Sequence, residues 1–258
     1  MALPNFTLAN RLRAGETVYS GWCGLPYPLV AETLARDGFV AVTIESQHGL
    51  WDTGSILNGV AAVRQGGAAP LVRVPLNDFA LVSRALDFGA EGIIAPMINT
   101  PEDARAFAAA AKFPPTGERS WGPHRATTFA GLSDQSVYLR EANDNIVTFA
   151  MIETRTALKN FEAIITTSGI DGFFLGPSDL SIALSDGKTL DPLSKEVEGH
   201  LDTMIAGAQK AKKIPGAYCH SAERAAALAK RGVKFLAVSS DLSMLRAGAA
   251  AALKVIKG

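Results

Sequence analysis

The stretch Phe39-Val-Ala-Val-Thr-Ile-Glu-Ser-Gln-His-Gly49 decides how the rest of the chain is read. Its first six residues are apolar or β-branched, with no alternation between a polar and an apolar face. That continuity marks a parallel strand buried on both sides. The run stops at a cluster of polar groups: Glu45, Gln47 and His48. Working outward, seven comparable runs lie at 18–24, 70–74, 92–97, 146–153, 170–176, 214–219 and 233–239. The segments between them have helical spacing: Ala31, Leu34 and Ala35 share a face, as do Val82, Ala85, Leu86 and Gly89. Gly38 and Gly89 stand where a helix needs a left-handed cap, and Asn77 and Ser221 stand at helix starts. Eight strand–helix units in 258 residues predict an α/β fold, a single-domain (β/α)8 TIM barrel over residues 1–258.

The composition narrows the functions available. Hydrophobic residues make up 48% and charged residues 19%, enough to fill a large core. Twenty-five basic residues balance 25 acidic ones with no basic stripe, so nucleic acid is not an expected partner. No apolar run reaches the roughly 20 residues of a membrane span, and 1–13 lack a signal-peptide core. Cys23 and Cys219 fall inside predicted strands and read as reduced core thiols. The expected location is the cytoplasm.

In a barrel the chemistry gathers at the carboxyl ends of the strands. Those positions hold Trp22, Glu45, Gln47, His48, Arg73, Glu153, Asp179 and Asp241. Glu153 and Asp179 follow adjacent strands, so their carboxylates should converge. Such a pair either shares a proton or binds a cation, Mg²⁺ being commonly held by one or two carboxylates. Alternatively, each acid caps the helix that follows it. Arg73 in an apolar strand needs an anion, either Glu45 or a substrate carboxylate or enolate. His48 reads as a catalytic histidine or as a surface loop residue, and His124, His200 and His220 have no comparable company. No lysine lies at a carboxyl strand end, which argues against a Schiff-base mechanism. The long irregular segment 113–134, with Trp121, is expected over the barrel mouth or against a neighbouring subunit. The Ala-rich helix 241–257 is suited to close packing.

The chain resembles the HpcH/HpaI family of metal-dependent pyruvate aldolases, within the phosphoenolpyruvate/pyruvate barrel superfamily. The matching elements are Glu45-Ser-Gln-His48-Gly, Val72-Arg73-Val-Pro-Leu-Asn-Asp78, Ala95-Pro96-Met97, Phe113-Pro-Pro-Thr-Gly117-Glu-Arg119, Ile152-Glu153-Thr-Arg155 and Gly176-Pro177-Ser178-Asp179-Leu-Ser. The resemblance implies a class II aldolase that reversibly cleaves 4-hydroxy-2-oxo acids to pyruvate, or a close 2-oxo acid, plus an aldehyde through an enolate. It implies a divalent ion (Mg²⁺, Mn²⁺ or Co²⁺) on Glu153 and Asp179, with no organic cofactor. Arg73 would stabilise the enolate, and His48 would carry acid–base chemistry through a water. Glu45 would support His48, and backbone amides around Gly176, Pro177 and Ser178 would hold the pyruvate carboxylate. Trp22, Gln47 and Tyr218 would line the substrate end, and Trp121 would join Trp22 and Tyr218 in acceptor choice. Asp87 would reach the histidine of a neighbouring subunit in a homo-oligomer, a hexamer arranged as a trimer of dimers with shared active sites.

Two departures accompany the match. Glu45 stands where the family commonly has Asp, and Met151 where some members have Gln. The rival readings are a lyase acting on a CoA thioester, with Arg119 and Arg125 as its obvious basic contacts, and a non-catalytic barrel.

Overall fold

A computed structural model describes residue 3 and residues 5–257. Eight strands close into a barrel: β1 (Val18–Cys23), β2 (Ala41–Glu45), β3 (Ala69–Arg73), β4 (Gly92–Ala95), β5 (Val147–Ile152), β6 (Gly172–Leu175), β7 (Ile214–Cys219) and β8 (Phe235–Val238). Every neighbouring pair is parallel, and β8 pairs with β1. Six of the eight strands are one to three residues shorter than the apolar runs that foretold them. The flanking residues of each run belong to the turns.

The barrel has two apolar layers. Inside it, Phe149, Phe174 and Phe235 pack ring against ring beneath Trp22, with Leu71, Ile94 and Val147 completing the fill. Outside it, Val42, Ile44, Val72 and Ile93 meet the inward faces of the helices, including Ala31, Leu34, Val82, Ala85 and Leu86. The aromatic plug closes the interior, so the barrel's only use for a ligand is at its rim. Gly38 (φ 111°) and Gly89 (φ 107°) take the left-handed conformation expected at their helix ends. Ser221 caps the helix Ala222–Lys230 by accepting from the Arg224 N–H. Asn77 does not cap: it takes φ 58°, and Asp78 accepts from the Leu81 N–H instead, at 3.0 Å. The left-handed step at Asn77 shifts the helix start one residue onward.

Of the two places expected for the segment 113–134, it does not take the first, the mouth of its own barrel. It connects a helix to β5, and such connections run at the amino-terminal end of a barrel, opposite the mouth. Arg119 pairs with Asp87 near the end of the helix Phe79–Phe88, and Trp121 packs on Phe113 and Tyr138. Lys112 secures the same end through its contacts with the Asn143 and Ile146 carbonyls and Asp171. The helix Asp241–Lys257 lies nearly bare, with Leu245, Leu253, Val255 and Ile256 all exposed. Cys23 and Cys219 are buried free thiols. Burial pushes the Cys219 thiol up to about 12 and Cys23 higher still, so neither is a nucleophile near neutrality.

Candidate active site

A cavity of about 510 Å³ opens at the carboxyl ends of the strands. Trp22 enters it from β1, Glu45 from β2, Arg73 from β3, Met151 from β5, Phe174 from β6 and Tyr218 from β7. His48, Ser178 and Asp179 enter from the turns beyond β2 and β6. No lysine lines it.

Register explains the first pairing. Glu45 lies opposite Arg73 across the β2–β3 ladder, and the two side chains form a buried ion pair. The guanidinium is therefore anchored at one end. At its other end its partners are weak: Nη1 faces the Met151 thioether at 3.9 Å, and Nε has no partner among the described residues. Its plane lies over the Trp22 ring, with 4.9 Å from Cζ to the ring centroid. Trp22 is braced in turn by Phe174, stacked at 5.9 Å, and Tyr218, edge-on at 5.4 Å. A charged group held firmly but incompletely satisfied, facing a cavity, is arranged to meet a ligand oxygen.

The second oxygen of Glu45 shapes the next turn. Oε1 accepts from the backbone N–H of Gln47 at 2.7 Å and of His48 at 3.2 Å. Glu45 thus grips the main chain of His48 and not its imidazole, which is exposed and makes no hydrogen bond to the described residues. Gln47 does not line the cavity; its Oε1 is buried without a partner.

Glu153 and Asp179 settle the question of caps. The helix after Glu153, Arg155–Lys159, is capped by Thr154, whose hydroxyl accepts from the Ala157 N–H. The helix Pro177–Leu184 starts from Gly176 with no side-chain cap, and Asp179 sits in its first turn. Neither acid is spent on its helix. Glu153 is buried, and Oε1 accepts from the Met97 N–H at 2.8 Å, with Met97 turned to φ 54°. Burial raises the Glu153 carboxyl to about 7; the Met97 bond pulls it back and the Asp179 charge pushes it further. Gly176 packs directly on Glu153 Oε2, where any Cβ would overlap it. Among the described residues no group of three or more His, Cys, Asp or Glu gathers to hold a metal. Two oxygen donors with unneutralised charge fit a hard divalent cation that draws its other ligands from water and substrate.

Some contacts had no signal in the sequence. Asp241 lines the cavity but ties loops, accepting from the N–H of Leu25 and of Leu242 at 2.8 Å each. His220 has company after all: Nε2 lies 3.3 Å from the Ser178 hydroxyl, and its ring packs on Tyr218. The Met97 amide was hidden because it acts through the backbone. Asp87 is not brought to this mouth within the chain; it pairs with Arg119 at the opposite end of the barrel.

A closed parallel barrel with these groups at its carboxyl rim, set beside its relatives, defines a carbon–carbon lyase. The chain belongs to the HpcH/HpaI aldolase/citrate lyase family, which it matches over residues 21–247. It is 40% identical over 235 residues to the hydroxypyruvate/pyruvate aldolase of Rhizorhabdus wittichii, covering 91% of this chain and 92% of that one. It is 32% identical to the 4-hydroxy-2-oxo-heptane-1,7-dioate aldolase of Klebsiella pneumoniae, covering 96% and 92%. Among solved structures, an HpcH/HpaI aldolase/citrate lyase family protein from Burkholderia cenocepacia superposes with a TM-score of 0.89 at 30% identity, covering 98% and 99%.

Proposed function

We propose that this chain, acting as one domain, is a divalent-metal-dependent class II aldolase. It cleaves 4-hydroxy-2-oxo acids to pyruvate, or a close 2-oxo acid such as hydroxypyruvate, plus an aldehyde, and runs the reverse addition. The observation that carries this reading is the release of both Glu153 and Asp179 from helix capping, beside an arginine left under-satisfied. Glu153 and Asp179 would hold Mg²⁺, Mn²⁺ or Co²⁺. When bound, the cation supplies Lewis acidity toward the substrate's carboxylate and keto oxygens.

The chain's own groups do the rest. The first-turn N–H groups of Pro177–Leu184, beginning at Ser178 because Pro177 has none, favour the substrate carboxylate at a helix amino terminus. Arg73, fixed by Glu45, would meet the negative charge that grows on the keto oxygen as the C3–C4 bond breaks. His48, free to face water, passes a proton to or from the aldehyde oxygen through a water. Trp22 and Tyr218 wall the substrate side. In an oligomer, a hexamer arranged as a trimer of dimers, Asp87 would meet a neighbour's His48. The bare apolar helix Asp241–Lys257 supports such an assembly. No helix among the described residues is long and apolar enough to cross a membrane, which agrees with a cytoplasmic enzyme.

The thioester lyase is the weaker reading. A nucleotide-bearing substrate needs free cations near the mouth, but Arg119 is already paired with Asp87 and Arg125 lies over Phe129. The test is release of pyruvate from a 4-hydroxy-2-oxo acid with added Mn²⁺. Glu153→Ala and Asp179→Ala should each abolish it at ordinary metal levels. Near-normal turnover in either variant contradicts the ligand assignment.

A further inference from the structure

The cavity is not chemically uniform. Glu153 and Asp179 follow β5 and β6, which face β1 and β2 across the closed barrel. On that opposite side, around Glu45, His48 and Asp241, the rim carries three leucines: Leu25 follows β1, Leu50 follows β2 and Leu242 follows β8, beside Trp22 and Tyr218. These leucines are placed, not loose. The Leu25 and Leu242 N–H groups share the Asp241 carboxylate, and the Leu50 N–H donates to the Gly24 carbonyl at 2.9 Å. Leu50 keeps 70% and Leu242 41% of its surface exposed, apolar area whose cover by a ligand would be favourable.

The charges lining the cavity point the same way. Apart from Asp179, assigned above to the cation, two carboxylates, Glu45 and Asp241, face a single guanidinium, Arg73, which is already held by Glu45. The arginines nearby are engaged elsewhere: Arg155 with the Ala183 and Leu184 carbonyls, Arg224 with Glu198. Arg73 is the single arginine among the cavity's lining residues and no lysine joins it, so an anion on the far end of the aldehyde would meet Asp241 there, which would repel it.

Resting on the aldolase reading above, we propose that the acceptor aldehyde of this enzyme is uncharged and apolar, and that Leu25, Leu50 and Leu242 determine this preference. Bound 2-oxo acid occupies the β5–β6 side, and the aldehyde's tail lies against the leucine rim opposite. Within the chain Trp121 packs on Tyr138 at the other end of the barrel, so it would reach an acceptor only in a neighbour's site, alongside Asp87.

The test compares 5-methylhexanal with 5-oxopentanoate, which differ in an isopropyl group against a carboxylate. Both are added to pyruvate and Mn²⁺ with the intact enzyme. The neutral aldehyde should have the higher kcat/KM by about tenfold or more. Across butanal, pentanal and hexanal, kcat/KM should rise about two- to fourfold per methylene. Leu242→Arg and Leu50→Arg should each shift the neutral-to-anionic ratio toward the anion by about tenfold. That ratio is read within one preparation, so a partly folded variant still reports it. Equal or better use of 5-oxopentanoate by the parent enzyme overturns the proposal, as does an unchanged ratio in both variants. Exchange of the pyruvate methyl protons is measured alongside, without aldehyde. Exchange with neither aldehyde accepted overturns the rim assignment alone, whereas absence of exchange overturns the aldolase reading and this proposal with it.

Discussion

Glu45→Gln isolates the strut on which the site depends. Glu45 is 3% exposed and Arg73 8%, so neither charge is well screened by water. Glutamine keeps the side-chain length and can still accept from the Gln47 and His48 N–H groups through its carbonyl. What it removes is the charge against Arg73, and it sets an NH₂ donor before guanidinium donors. Removing one partner of a buried pair costs about 3 kcal/mol or more. For a chain of this length that corresponds to a fall in Tm of roughly 6–12 °C. Replacing both partners costs less, since no unpaired charge remains: Glu45→Gln with Arg73→Met should recover at least half of the single variant's loss. Methionine at position 73 would lie beside Met151 and Trp22, which suit it. The assay is circular dichroism melting of chelator-treated protein at one concentration and one heating rate. A single variant within about 1 °C of the parent, or strictly additive losses in the double variant, would refute the strut.

Two further outcomes follow from the same geometry. Protons and metal compete for Glu153, whose carboxyl stands at about 7, so Mn²⁺ affinity measured by calorimetry should weaken about tenfold per pH unit well below that value. In the metal-free protein the sign is reversed: the native state keeps this proton, so the stability it contributes is full below 4.5 and is lost as pH rises through about 7. A pH-independent Mn²⁺ affinity contradicts this assignment. Gly176→Ala forces a methyl onto Glu153 Oε2 and to 3.1 Å from the Met151 Cε, and should cut kcat/KM about a hundredfold. Retention of activity within about twofold would mean that Glu153 need not sit where it does.

The fold was legible because six of the eight strands are buried at every residue. Phe39–Ile44 and Gly172–Leu175 could only be continuous apolar runs in a parallel sheet, and they are central barrel staves. The carboxyl strand ends named six of the residues that line the cavity: Trp22, Glu45, His48, Arg73, Asp179 and Asp241. The Glu45–Arg73 pairing followed from adjacent strands, but the grip of Glu45 on two backbone amides did not, because side-chain reach depends on how the turn folds back. Segment 113–134 does not reach the mouth of its own barrel, one of the two places expected for it. Its position between a helix and the following strand already put it at the opposite end of the barrel. Leu25, Leu50 and Leu242 left no mark because they follow three different strands and meet only at the cavity.

The central claim is that Glu153, Asp179 and Arg73 together make an enolate from a 2-oxo acid. Proton–deuterium exchange at the pyruvate methyl group, followed by NMR in D₂O, tests it without any choice of aldehyde. The account predicts exchange that a chelator stops, that Mn²⁺ or Mg²⁺ restores, and that is lost in Arg73→Ala. Exchange that persists with chelator present, or its absence with every divalent metal, contradicts it.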